Sequence, residues 1–391
     1  MQIPEAITQL HPQMLVWRRH LHRYPETAYE EVQTADFIAQ QLRDFGFIPH
    51  TGLAKTGVVA SLSVGASTKT IALRADMDAL HIHEHNEFAY KSTVSGKMHA
   101  CGHDGHSAML LGAAKHLVDT QQFDGTVHFI FQPAEEGRAG AQQMLAEGLF
   151  EQFPSDCVFG LHNFPNVPVG HFAIKAGPMM AALNCFEITL TGKACHAAKP
   201  HLGQDPMIAA AQLIMALQTI VSRNVNPHEP AVVSVTQIHS GQTWNAIPEE
   251  VTLRGTYRCF EYSVQQLLER RLQELTETLS MAFNVTGQIV FNPENPGYPV
   301  TSNSIKETAI AVAVATAVVG EQAVDLNPVP SMGSEDFAFM LQQKPGCYVW
   351  LGNGNQPCCG QLHNPHYDFN DDILPIGAAY WVKLVETVLN K

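Results

Sequence analysis

Nine residues, Met98 to His106, read MHACGHDGH and hold three histidines, a cysteine and an aspartate between glycines. So dense a set of soft and borderline ligands is more than packing needs, and it reads as half of a metal site. Cys101 and His103 lie two apart, so on an extended or loop backbone they point the same way, whereas on a helix they would diverge. Gly102 and Gly105 let the loop bend tightly enough to converge on an ion. The alternative, a buried free cysteine near surface histidines, loses ground because further ligands follow downstream.

Those ligands recur where apolar strand-like runs end. Thr70 to Ala75 runs into Asp76 and Asp78; Gly125 to Gln132 is followed by Glu135 and Glu136; Cys157 to Leu161 ends in His162 and Asn163. In open α/β sheets the chemistry gathers at the carboxyl ends of the strands, so Cys101 with His103, Glu136 and His162 should converge. Adjacent carboxylates at a strand end face opposite ways, so one can bind metal while its neighbour handles a proton. A solvated helix N-terminus is the competing account of Glu135 and Glu136. The loop LHNPHYDF supplies one more imidazole, His363. The run HIHEH puts His81, His83 and His85 on one face and reads as a solvated edge. In RRHLHRYPE, His20 and His22 diverge by about 200° on a helix and read as surface or capping residues.

Positioning these groups takes a sizeable scaffold. A chain of 391 residues suggests two domains, and 45% hydrophobic against 15% charged residues fits a compact enzyme rather than a disordered chain. A formal charge of −14 disfavours nucleic acid and anionic membranes as partners. No basic n-region precedes an apolar core at the N-terminus, and no stretch of about 18 uninterrupted apolar residues follows, which places the protein in the cytoplasm as an expectation. Eight cysteines are too few for a disulfide scaffold. Cys157, Cys185, Cys259 and Cys347 sit in apolar runs, and the adjacent Cys358 and Cys359 receive no role.

Helical spacing over Glu5 to Tyr24 and Glu30 to Phe45 predicts two helices covering a sheet, and the MHACGHDGH loop feeds a buried helix. The fold class expected is α/β: a mixed-sheet catalytic domain with helices on both faces, in two parts, 1–176 and 295–391. Between them, 177–294 reads βαββαβ, an inserted α+β ferredoxin-like lid. Its strands are Ala182 to Leu190, Ala231 to Ile238, Glu250 to Arg258 and Val285 to Phe291, with helices Met207 to Val221 and Val264 to Leu279. The first helix is apolar nearly all round, more than a small exposed domain can bury alone, which predicts a partner surface. Ser304 and Glu307 form a capping-box signature before a helix through Val319, and Glu335 and Asp336 stand at another helix start.

Seven motifs in order, RADMDAL, MHACGHDGH, QPAEEG, HNFP, HAAKPHLGQDP, MGSEDFAFM and LHNPHYDF, span nearly the whole chain. In them the sequence resembles the M20 metallopeptidase family, and specifically its aminoacylase-like branch of N-acyl amino acid amidohydrolases, with hippurate and auxin-conjugate hydrolases. The resemblance implies two divalent ions per subunit (zinc, manganese, cobalt or nickel) held by Cys101, His103, Glu136, His162 and His363, with Glu135 as general base. Asp78 would orient a ligand. The resemblance also implies a homodimer through the lid, a lid histidine, His196, that reaches the partner subunit's site and steadies the oxyanion, and a small N-acyl amino acid substrate whose carboxylate meets Asn245 and Arg254. The broader family has histidine where this chain has Asp76, a departure normal in the branch, and His81 stands where the branch commonly has proline. An exopeptidase or dipeptidase is the neighbouring reading. A metal-binding protein without catalysis is the reading from another class, disfavoured because a structural site has no use for an unliganded base.

Overall fold

Four buried parallel strands carry the sequence motifs to one edge of a sheet. In the computed structural model, which describes residues 2–294, 296–354 and 360–391, the eight-stranded sheet runs His50–Leu53, Gly57–Val64, Gly125–Gln132, Thr70–Asp76, Cys157–Pro165, Gly346–Gly354, Phe172–Ala173 and Val324–Asp325. The third to the sixth of these are mutually parallel, and Gly57–Val64 and Phe172–Ala173 flank them antiparallel. Both faces of the central strands are buried, which explains why they read as apolar runs rather than alternations. Register then does the positioning. Asp76 pairs with Gln132, and Arg74 pairs with Gly160, so Asp76 and His162 come level at the carboxyl edge.

The helix His103–Thr120 is buried almost all round and packs against Glu5–Arg23 and Leu374–Val388. Ser304 caps Ile305–Val319 without the expected side-chain bond. Its Oγ instead accepts the Gly346 N–H at 3.2 Å, tying that helix start to a central strand.

The chain divides into two units, one of residues 1–179, 301–329 and 336–391, the other of residues 180–300 and 330–335. The smaller unit is a four-stranded antiparallel sheet in the order Ala231–His239, Glu250–Cys259, Ala182–Thr191, Thr286–Phe291, with helices Pro206–Thr219 and Tyr262–Ala282. This is the strand order of the split βαββαβ motif. Phe186, Ile188 and Leu190 alternate into its core with Leu213, Leu217, Leu268 and Leu272. The segment 330–335 groups with this unit because the Ala181 N–H donates to Ser331 O at 3.0 Å and Arg258 Nη1 donates to Met332 O at 2.9 Å. Those contacts bridge distant parts of the chain, and no local pattern announces them. Pro206–Asn224 is long and apolar enough to cross a membrane, but Leu213 and Leu217 bind it to the sheet as a covering helix.

Candidate metal centre

Asp76, His103, His106 and His162 bring ligand atoms within 4.8 Å of one another, as do Cys101, Glu136 and His363, and His103 with Glu135 and Glu136. All these residues belong to the larger unit. The structure therefore gathers all five sequence-derived ligands and the neighbouring Glu135. Each arrives by its own local device.

Gly102 takes a left-handed φ of 91° before the helix that begins at His103, and a Cβ there would stand 2.2 Å from Asn163 Oδ1. This tight turn presents Cys101 from the loop and His103 from the first helical position. Beyond Gln132, Ala134 has φ 56° and its N–H donates to the buried Glu31 carboxylate at 2.9 Å. Glu136 is itself non-helical, with ψ 83°, so the two glutamates leave the strand end on a kinked backbone rather than a regular helix. His363 sits at φ 62°, unusual for a residue with a Cβ, and is pinned by its N–H to Ala100 O at 2.8 Å. Its half-exposed ring reaches Glu136 Oε1 with Nε2 at 3.1 Å.

Hydrogen bonds fix which ring nitrogens face inward. Asp78 Oδ1 lies 3.2 Å from His103 Nδ1 and Asp78 Oδ2 accepts the Glu136 N–H at 2.9 Å. One carboxylate thus holds an imidazole and the backbone of a second ligand, as an outer partner of a metal site does. His162 Nδ1 lies 2.6 Å from Asn163 O; a carbonyl only accepts, so Nδ1 carries the proton and Nε2 faces Cys101 Sγ at 3.4 Å. His103 Nε2 is buried with no hydrogen-bond partner among the described residues, the state of a nitrogen whose partner is an ion.

The charge balance points the same way. Burial would lower the His103 pKa, but Asp76 and Asp78 push it up to about 10. Burial raises Asp76, and His103, Arg74 and His106 more than reverse it, holding its carboxyl well below the usual range. The Cys101 thiol is pushed well up by burial and then by Glu136, Glu135 and Asp76. Buried carboxylates in this excess call for cations, and metal binding would displace the thiol proton. The donor set of thiolate, imidazole and carboxylate fits borderline divalent ions.

His106 was not among the sequence-derived ligands. It lies three residues after His103, hence on the same helical face, and that spacing was the available signal. Its Nδ1 lies 2.5 Å from Asp76 Oδ1 and its Nε2 accepts the Asn163 N–H at 2.9 Å, so both nitrogens hold neighbours in place. Arg74 was also unmarked; it donates to Asp76 at 2.6 Å, Gln132 at 2.7 Å and Asp336 at 3.0 Å, locking three strand-end groups together. His22 departs from expectation, being fully buried between Asp104 at 2.8 Å and Glu84 at 3.1 Å, whereas His20 is exposed.

The lid residues belong to the smaller unit. His196 pairs with Ala246 in a two-stranded ribbon, and its Nδ1 accepts the Ala198 N–H at 3.0 Å, leaving the exposed ring's Nε2 outward. Asn245 precedes that ribbon, and its Oδ1 accepts the Thr243 hydroxyl at 2.9 Å. Arg254 lies opposite Glu187 on the neighbouring strand and donates to it from Nε at 2.6 Å. Its Nη2 lies 3.9 Å from Glu294 Oε1, so two carboxylates face the guanidinium.

A model of the family described as Peptidase family M20/M25/M40 matches residues 72–387. Hippurate hydrolase of Campylobacter jejuni is 41% identical over 382 residues, 98% of either chain. N-acetyl-L-cysteine deacetylase of Bacillus subtilis is 40% identical over 380 residues, covering 97% of this chain and 88% of its own. Among solved structures, a dinuclear metal binding peptidase from the M20 family of Bacillus subtilis superposes with a TM-score of 0.83 at 33% identity. The match covers 98% of this chain and 99% of that one.

Proposed function

The chain belongs to peptidase family M20/M25/M40, a metal-dependent hydrolase acting on amide bonds, and from that premise we propose that it cleaves N-acyl amino acids to a carboxylic acid and a free amino acid. The observation carrying this reading is the shared geometry of Cys101, His103, Glu136, His162 and His363 with Glu135 alongside. Relatives that are 41% and 40% identical bear names denoting N-acyl amino acid substrates.

When bound, two divalent ions supply Lewis acidity toward the amide carbonyl and make water a stronger acid. The rest is the work of side chains. Asp78 keeps the proton on His103 Nδ1, so Nε2 stays a donor of electrons toward the site. Glu135, buried beside Glu136, takes the proton of the attacking water and passes it to the departing nitrogen, which leaves poorly unless protonated. In the lid, His196 donates toward the oxyanion and Asn245 with Arg254 reads the substrate carboxylate; the Glu187 pair keeps that guanidinium oriented. A thiolate with imidazoles favours zinc, while availability can load manganese, cobalt or nickel.

A panel of acetyl, benzoyl and long-chain acyl amino acids, run against dipeptides with a free amine and with metal content measured on the same sample, tests the reading. Acyl amino acids are expected to turn over and free-amine dipeptides to be rejected. Preference for the dipeptides would make the enzyme an exopeptidase, in keeping with the peptidase name of its structural relative.

We infer a homodimer through the lid as well. Met207, Ile208 and Met215 stand 42%, 54% and 69% exposed on the helix Pro206–Thr219, an apolar stripe that a second copy would cover. If His196 serves the partner subunit's site, His196→Ala and Glu135→Gln homodimers are each nearly dead. A mixed dimer regains one good site, so random exchange restores roughly a quarter of wild-type activity. Continued inactivity after mass spectrometry has confirmed exchange would confine His196 to its own chain.

A further inference from the structure

The run His81 to His85 leaves three histidines outside the metal centre, and the fold brings two of them to a fourth. His83 and His85 alternate outward while Glu84 between them turns inward, where its carboxylate accepts the Ser92 N–H at 2.6 Å and Asn86 Nδ2 at 3.0 Å. The turn that carries His366 lies alongside: the His85 N–H donates to Pro365 O at 3.0 Å and Asn86 Nδ2 donates to Tyr367 O at 2.9 Å. Both backbones are thereby pinned in the larger unit. Ring centroids of His83 and His85 are 5.7 Å apart and those of His85 and His366 5.4 Å, each pair edge to face. All three rings are exposed, and none makes a side-chain hydrogen bond or ion pair among the described residues.

We propose that His83, His85 and His366 form a surface site for a further divalent ion of the zinc, nickel or copper type, distinct from the buried centre. Two imidazoles sharing a tetrahedral ion at about 2.0–2.1 Å per Zn–N bond have ring centroids roughly 5 Å apart. The observed spacings are close to that value. Their nitrogens do not converge as the buried ligands do, but exposed imidazoles turn between rotamers at little cost, whereas the pinned backbones set the separation that cannot be adjusted. Three neutral imidazoles with water completing the shell select borderline transition ions and not magnesium or calcium, which require oxygen ligands. His81 is outside these ring contacts. An ion here ties the segment through His85 to the turn that also presents His363, three residues before His366.

The test needs no substrate. Metal-loaded wild type and the variant His83→Gln/His85→Gln/His366→Gln are dialysed against the same free zinc concentration and their metal counted by mass spectrometry. Wild type is expected to hold one more ion per chain, with the remaining complement unchanged. Copper titrated into the loaded enzyme is expected to show imidazole nitrogen splitting by electron paramagnetic resonance. That signal is lost in the triple variant and in His85→Gln alone, and retained in His81→Gln. Equal zinc counts in wild type and triple variant, or a copper signal that survives in the triple variant, would overturn the site. Thermal unfolding of each variant separates loss of a ligand from loss of fold.

Discussion

Glu135→Gln is expected to keep the metal complement and lose turnover by at least about 100-fold, the usual scale for a general base, while Glu136→Gln loses metal. Distance alone does not separate the neighbours, since both carboxylates come within 4.8 Å of His103. Glu136 alone also reaches the group formed by Cys101 and His363, and its backbone N–H is held by the same Asp78 that orients His103. It is built in as a ligand. Glu135 Oε1 accepts the Asp336 N–H at 3.4 Å, a contact that steadies the carboxylate beside His103. Gln keeps the shape at both positions and removes a charge, so metal analysis beside kcat distinguishes the roles. Metal lost from Glu135→Gln and kept by Glu136→Gln would exchange them.

How much of this was legible beforehand depended on sequence distance. Candidate ligands at strand ends are readable because parallel strands in an α/β sheet deliver their carboxyl ends to one edge, and Glu136 and His162 each follow an apolar run. The alternation of Phe186, Ile188 and Leu190 likewise gave the smaller sheet its buried face. Periodicity reports a face, however, and not the partner on it. Helical spacing separated His20 from His22 correctly, yet nothing local says that His22 turns toward Asp104, 82 residues on, rather than toward water. Glu31 is similar: it accepts the Ala134 N–H across 103 residues, and burial followed by Asp78 raises its carboxyl to about 7. The resemblance implies that Arg254 meets the substrate carboxylate, and only the strand register reveals Glu187 opposite it. Cys358 and Cys359, given no role, lie outside the described residues.

Arg18→Ala is expected to destabilise the larger unit by about 3–5 kcal/mol, the cost of breaking a buried ion pair by removing one partner. Arg18 is fully buried and donates from Nε to Asp104 at 2.9 Å, from Nη1 to Asp371 at 3.3 Å and from Nη2 to Asp368, with the Tyr90 ring 5.0 Å from its guanidinium. Without it Asp104, also buried and directly after His103, keeps His22 as its main counter-charge. The pH dependence follows from two opposed shifts. Burial raises the Asp104 pKa, but Arg18 and then His22 reverse this and hold it far below the usual carboxylate range. A depressed carboxylate stabilises the fold above its unfolded value, about 3.9, and that contribution is lost as pH falls toward the folded value. Burial and Arg18 lower His22, while Asp104 and Glu84 raise it further, for a net upward shift. Its contribution is complete below about 6.5 and is lost as pH rises through the folded value. Removing Arg18 takes away the main force depressing Asp104 and a repulsion acting on His22, so acid should erode the difference between variant and wild type. Urea midpoints at pH 7 and near pH 4 measure it: a large gap at neutral pH, narrowing in acid. Arg18→Lys restores only part of the loss, because one ammonium cannot serve three carboxylates from a planar fork. A gap under about 1 kcal/mol at pH 7, the scale of an exposed pair, would mean that these aspartates are solvated and that the foundation of the metal loop lies elsewhere.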